Sequence, residues 1–431
     1  MNSPILFKKH NLKESGFKMQ TNNTMINTNW LKNIILFLSS QTISLFGSSL
    51  VQYAIMWHIT LKTESGLMMT LYIICGFIPT FILSPVAGVW ADRFNRKILI
   101  ILADGLIALA TLVLAILFLM GFNAIWLFFV MAAIRAFGTG IQMPAVGAIL
   151  PQIVPKKHLT RVNGINGSIQ AIITFVSPMV SAALLAWTSI EIIFFIDVIT
   201  ASIAILTLLA LKIAVHEKAK TKQTTSYFSD FKLGIKYVSS LPFLKVFFIF
   251  LAIFFVLMAP ASFLTPLQVA RSFGDDLWRL SAIEIAFSIG MLLGGGIIAS
   301  WGGFQNRVKT IVFASIIMGV CTFSLGVVPL FSIYLAFMGL FGVALPILNT
   351  PATTLLQEKV EENYLGRVFG VMGMISTSMM PLGMLIFGPI ADIIKIEWLL
   401  IGTGLFIIIL AIIMGRNKTL VEAGNPTIQQ P

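Results

Sequence analysis

Charge is what this chain of 431 residues has least of: Asp, Glu, Lys and Arg make up 11% of it, against 57% hydrophobic residues. A soluble domain carries about 25% charged residues, and burial grows too slowly with size for a water-soluble core to hide so much apolar surface. Cysteine is nearly missing. Cys75 and Cys321 both sit inside apolar runs, which excludes a disulfide-stapled scaffold and makes them small packing residues. The short alternating strands of a membrane barrel are absent. So is any G-x-x-x-x-G-K-S/T phosphate loop, which argues against direct use of ATP. His216-Glu217 begins like a zinc-protease helix, but position 220 is Lys, and no G-x-S-x-G elbow occurs. Neither an enzyme nor a metal or organic cofactor is expected. Residues 1–29 are polar and basic, without an apolar core before a cleavage site, so they read as a tail rather than a signal peptide.

What the chain does have is apolar runs long enough to span a bilayer, recurring from Leu31 to Gly415. Polar or Pro/Gly-marked breaks predict twelve helices. The first six cover 31–60, 66–91, 97–120, 124–149, 161–188 and 190–213. The second six cover 243–270, 277–301, 308–329, 331–356, 364–392 and 397–415. The expected fold is an all-α polytopic membrane protein. It has a cytosolic tail (1–30), a six-helix bundle (31–213), a cytoplasmic linker (214–242), a second bundle (243–415) and a C-terminal tail (416–431).

The net charge of +12 has an economical explanation in this layout. Of 29 Lys and Arg residues, 24 fall in segments on one side. Lys62, Arg271, Arg279 and Lys395 fall on the other, and Arg135 lies within the fourth helix. Basic residues crowd cytoplasmic loops, so both termini are expected in the cytoplasm and the chain in the cell membrane, with no nucleic-acid partner. Trp30, Trp57, Trp90, Trp126, Trp187, Trp278, Trp301 and Trp398 all fall near predicted helix ends, where indoles favour the interface.

The chain also repeats. "RVNGINGSI" (Arg161–Ile169) returns 206 residues later as "RVFGVMGMI" (Arg367–Ile375). "GVWADRFNRK" (Gly88–Lys97) returns 211 residues later as "ASWGGFQNRV" (Ala299–Val308), keeping the Trp, Asn and Arg positions. Two six-helix halves of like orientation joined by a long basic loop are the parallel repeat of a secondary transporter.

"GVWADRFNRK" also resembles the major facilitator superfamily signature G-x-x-x-D-R-x-x-R-R/K, placed as in that family between helices 2 and 3. "IRAFGTGIQMPA", "IDVITASIA", "EIAFSIGMLLGG" and "LLQEKVEENYLGRVFG" make the chain similar to the Mef-type macrolide efflux proteins of the drug:H⁺ antiporter group. The resemblance implies twelve helices in two pseudo-symmetric bundles and proton-driven export of amphipathic drugs, macrolides first. An endogenous metabolite such as a siderophore or lysolipid is an alternative cargo. A transport-inactive receptor or scaffold is an alternative of another class, disfavoured by the intact signature and by Arg135. A monomer is the simplest expected unit.

Gly88, Asp92, Arg93, Arg96 and Lys97 then form a candidate latch. Gly88 permits close helix approach. Asp92 suits the N-terminus of helix 11, where the macrodipole favours an anion, and the cations can reach Glu358, Glu361 or Glu362. The degenerate copy has Gly303 at the carboxylate position, so this latch is expected to be one-sided.

Ionisable residues inside spans are costly and suggest function. Arg135, roughly 16 Å into helix 4 by the helical rise, matches the family's helix-4 arginine, which the resemblance links to proton coupling. Glu284 lies within helix 8, and the pair are the coupling candidates. Asp104 and Asp197 lie on helices peripheral in the family and are read as bonding neighbouring helices. His58 and Glu191 are read as solvated near the outer interface. Gln41, Gln52, Gln142 and Asn349 are candidates for orienting substrate in a central cavity. In helix 5, "ITFVSPMVSAAL" keeps Pro178 of the antiporter motif but replaces its glycines with Thr174, Ser177, Ser181 and Ala182.

Overall fold

The computed structural model describes residues 30–155, 158–211 and 235–425. The N-terminal tail, most of the linker and the last six residues lie outside the described residues. Among the described residues, twelve helices are long and apolar enough to cross a membrane. In the first half they are α1 (Trp30–Thr63), α2 (Gly66–Arg93), α3 (Arg96–Leu119), α4 (Trp126–Ile153), α5 (Leu159–Trp187) and α6 (Ile190–Ala210). In the second they are α7 (Pro242–Ser272), α8 (Leu277–Trp301), α9 (Arg307–Leu325), α10 (Phe331–Lys359), α11 (Glu362–Ile390) and α12 (Ile396–Arg416). α7 widens to a π-turn at Pro260–Leu264, because proline cannot donate the interior hydrogen bond. The C-terminal tail is not wholly extended: α13 (Lys418–Ala423) buries Leu420 and receives two bonds from Asn306, to Val421 O and Asn425 Oδ1.

The duplication governs the packing. In the first half α2 packs on α4, α3 on α4 and α6, and α1 on α5 and α6. In the second half the same pairs recur six helices later, α8 on α10, α9 on α10 and α12, and α7 on α11 and α12. The repeated loop residues do repeated work. Asn95 caps α3 and Asn306 caps α9, each side chain accepting a first-turn N–H. Arg96 reaches back to Ala91 O (2.9 Å) and across to Ala148 O on α4 (2.8 Å). Arg307 reaches back to Gly302 O and across to Glu358 on α10 (3.0 Å).

The halves meet chiefly through α2 with α11 and α5 with α8. At the end away from the basic loops they are in tight contact. A Cβ built on Gly66 would lie 2.3 Å from Gly388 O, and one on Gly388 would lie 1.6 Å from Thr70 Oγ1. Ser281 on α8 donates to Pro178 O on α5 (3.2 Å). At the basic end they part: a Cβ on Gly164, Gly167, Gly366, Gly370 or Gly373 would meet nothing within 4 Å. Among the described residues, the halves are thus tightly packed at one end and leave space around these glycines at the end bearing the basic loops.

Trp126, Trp187, Trp278, Trp301 and Trp398 are exposed near helix ends, but Trp57 is fully buried. It fills the α1 core against Tyr53 rather than an interface.

Candidate transport cavity and gates

Between the halves lies a cavity of about 1040 Å³, lined mainly by α1, α2, α4 and α11, with Phe263 from α7. Most of its wall is apolar or small, including Tyr72, Phe77, Met143 and Met374. Gln52, Gln142 and Arg135 supply polar points, and these three expected residues are brought together there. Gln41 and Asn349 are not part of this wall: Gln41 has a buried Nε2 with no partner among the described residues, and Asn349 is exposed on α10.

Arg135 is anchored by its own half. Nη1 donates to Asp197 Oδ2 on α6 (2.7 Å) and lies 3.1 Å from Thr111 Oγ1 on α3, and Nη2 donates to Ser48 O on α1 (2.9 Å). Asp197 is fully buried and also accepts from Ser48 and Thr111. Four helices therefore converge on one ion pair. Gly47 permits it, since a Cβ there would stand 2.0 Å from Thr200 Oγ1 and 3.2 Å from Asp197 Oδ1. Asp197 does bond neighbouring helices as expected, yet its principal partner is the cavity arginine. Taking both charges out of water is costly unless they are paired and further hydrogen-bonded, and this site meets both conditions.

Glu284 on α8 is half-buried and, among the described residues, makes no hydrogen bond or ion pair. Asp104 is also buried, and its Oδ1 accepts from the cavity residue Gln142 (2.6 Å) and from Ser44 (3.2 Å). Its Oδ2 has no partner among the described residues. Asp104 thus touches the cavity wall through Gln142 and Ser44, a link that sequence spacing did not show. His58 is less solvated than expected: its ring abuts Phe128 edge-on.

Of the latch residues, the side chains of Gly88, Asp92 and Arg93 lie outside the described residues. Lys97 donates to Leu209 O (3.0 Å) and Leu211 O (2.8 Å) at the end of α6, and Arg96 donates to Ala91 O and Ala148 O. Cations near helix C-termini satisfy the last carbonyls and suit the dipole. Glu358, one of the partners expected for these cations, pairs with Arg307 instead. The helix-5 serines are packing devices; Ser181 is fully buried and donates to Leu50 O (3.0 Å).

Known proteins agree with this architecture. Residues 33–384 match the family model of the Major Facilitator Superfamily. Macrolide efflux protein A of Streptococcus pyogenes is 30% identical over 387 residues, 89% of this chain and 96% of that protein. Macrolide efflux protein A of Enterococcus faecalis is 31% identical over 72% of this chain and 96% of its own length. Multidrug efflux pump Tap of Mycolicibacterium fortuitum is 24% identical over 88% and 95%. Among solved structures, nucleoside transporter NupG superposes with TM-score 0.65 at 15% identity, covering 91% of this chain and 100% of that one. A bacterial homolog of the lysosomal transporter Spinster, inward-facing and unoccupied, superposes with TM-score 0.69 at 12% identity, covering 93% and 99%. The chain is a multi-pass membrane protein belonging to the major facilitator superfamily.

Proposed function

We propose that this protein is a proton-coupled exporter of amphipathic drugs, macrolides foremost, working by alternating access across the cell membrane. The observation that carries the reading is the central cavity, closed at one end and open at the end bearing the basic loops. Ligand pockets for drug-sized molecules span about 300–1,000 Å³, so a cavity of about 1040 Å³ suits a large ligand. Its apolar and methionine-bearing wall suits a cargo recognised by surface rather than by many fixed bonds. Gln52 and Gln142 offer orienting hydrogen bonds. The likeness to macrolide efflux proteins over nearly the whole chain points the same way.

Coupling requires an ion whose binding differs between the two conformations. Arg135 and Asp197 neutralise each other, which leaves Asp104 and Glu284 as the carboxyls deep in the spans without a cationic partner among the described residues, and of these two only Asp104 is held by hydrogen bonds. A proton taken up at Glu284 removes an expensive intramembrane charge, and its release toward the cytoplasm accompanies outward movement of drug. The working unit is one chain, the driving force is the proton gradient, and no organic or metal cofactor takes part.

The test is accumulation of radiolabelled erythromycin in a pump-deficient bacterial host, with and without expression of the chain. Expression should lower accumulation, and an uncoupler should abolish the difference. Efflux that persists in de-energised cells would overturn proton coupling. Unchanged macrolide accumulation alongside expulsion of another compound would overturn the cargo alone.

A further inference from the structure

The closed end of the molecule is held by a carboxylate that the signature at the other end did not predict. Asp392 follows α11 directly. Its carboxylate accepts from Ser65 Oγ (2.7 Å), from the backbone N–H groups of Gly66 (2.7 Å) and Leu67 (2.9 Å), and from Arg271 Nη2 (2.9 Å). Gly66 and Leu67 open the 28-residue α2, so their N–H groups have no partner within the helix. An anion from the second half therefore caps a helix of the first, where the dipole also favours it.

Arg271, at the end of α7, completes the junction. Nη1 donates to Ala391 O (2.6 Å), and Nε donates to Glu64 O (3.1 Å), which Nη2 also approaches. Glu64 is held at φ +45°, alone among described non-glycine residues in the left-handed region. Such a conformation persists where its surroundings over-determine it, and here the arginine grips its carbonyl from the other half. Gly388 lets the helices close to the distance that this bonding needs: Thr70 Oγ1, which would collide with any Cβ there, donates to Gly66 O and lies 3.2 Å from Met384 O on α11.

The sequence carries the same device twice. Gly88-Val89-Trp90-Ala91-Asp92 ends α2, and Gly388-Pro389-Ile390-Ala391-Asp392 ends α11. Both read G-x-x-A-D. The two helices run in opposite directions, so the end of α11 meets the start of α2 at the closed end, and the end of α2 lies at the same end of the molecule as the start of α11.

We propose that Asp392, Gly388 and Arg271 form a second latch, the counterpart of the Gly88–Asp92 latch, which locks the closed end and must release for that end to open. The idea rests on the alternating-access reading of the protein but needs neither its cargo nor its ion.

The test reads conformation without substrate or gradient, in full-length protein in opened membranes, with Cys75 and Cys321 replaced by serine. Ser281→Cys reports the closed end, where the native hydroxyl meets Pro178 and is 6% exposed. Ser168→Cys reports the exposed half of α5 at the open end. Asp392→Asn and, separately, Arg271→Gln should raise maleimide labelling at position 281 about five- to thirty-fold, the effect of losing a charged helix cap. They should lower labelling at position 168. Ser65→Ala should do the same more weakly and guards against a variant that fails to accumulate. Unchanged labelling at position 281, or a rise at both positions together, overturns the latch; the latter would mean a loosened fold. Absence of drug export, with this reciprocal labelling intact, would overturn the proposed function and leave the latch standing.

Discussion

Thr111 on α3 and Thr322 on α9 stand 211 residues apart, and each hydroxyl bonds the carbonyl four residues earlier on its own helix. Around Thr111 the first half gathers Arg135, Asp197 and, one turn and more away, Asp104. At the repeat offsets the second half has hydroxyls instead. Ser315 matches Asp104 and Thr403 matches Asp197, both buried and both bonded within their own helices. The region of α10 that matches the Arg135 segment is tightly packed by glycine: a Cβ on Gly342 would lie 2.1 Å from Phe287 O of α8. One scaffold thus carries two interiors. The first half buries charge beside the cavity, and the second buries none at these positions, so it can move as a well-packed unit without breaking ion pairs. The asymmetry suits a carrier whose halves rock against each other.

The largest expected effect comes from breaking the first half's ion pair. Asp197→Asn leaves Arg135, whose side chain is 13% exposed, without its anion. Removing one partner of a buried pair costs about 3–5 kcal/mol, so the protein should accumulate poorly and export should fall at least tenfold. The matched change, Thr403→Val, removes only a bond to Leu399 O on the same helix and should cost under about 1 kcal/mol. Membrane levels and thermal stability in detergent, measured side by side, check the contrast. Equal losses would mean that burial, not charge, distinguishes the halves.

Next comes the signature. Asp92→Asn should leave accumulation near normal while export falls severely. Gly303, at the degenerate copy, is a poor control, because its φ of +79° and the nearby Thr310 hydroxyl strain any side chain. Glu358→Gln is the better one. It breaks only the half-exposed Arg307 pair, worth about 0–1 kcal/mol, and should change export less than about twofold. Glu284→Gln should abolish uphill export while leaving downhill exchange of labelled drug in liposomes; uphill pumping at the normal rate would remove Glu284 from the coupling scheme.

The twelve spans, the duplication and the family were legible in the sequence because bilayer physics writes them in long apolar runs, loop cations and repeated loop residues. The cavity was partly legible: Arg135, Gln52 and Gln142 are polar residues in otherwise apolar helices, and the structure puts all three on its wall. Partner choice was not. Asp197 pairs with Arg135 across 62 positions of sequence, a link fixed by the packing of α4 near α3 and α6 and not by spacing. The Asp392 junction escaped for another reason. Its likeness to the first signature lies between α2 and α11, which are not duplicates, so a search at offsets of 206–211 passes over a match at 300.

The smallest expected effect is a change of pH that does nothing at the closed end. Burial alone would raise the Asp392 pKa, but bonds from Leu67 N–H, Ser65, Gly66 N–H and Arg271 outweigh it and hold the carboxyl below its ordinary range. A carboxylate with a depressed value contributes its stabilisation above the unbonded value and loses it only as pH falls through the lowered one. The bonded group of Glu64 is a backbone carbonyl, which does not titrate. Labelling at Ser281→Cys, taken relative to the unfolded protein at the same pH so that the thiolate fraction cancels, should therefore stay flat from pH 8 down to the ordinary carboxylate range and rise only below it. A rise already between pH 7 and 6 would mean that the closed end is held by some other titrating group, and that the two ends of α2 and α11 are not built alike.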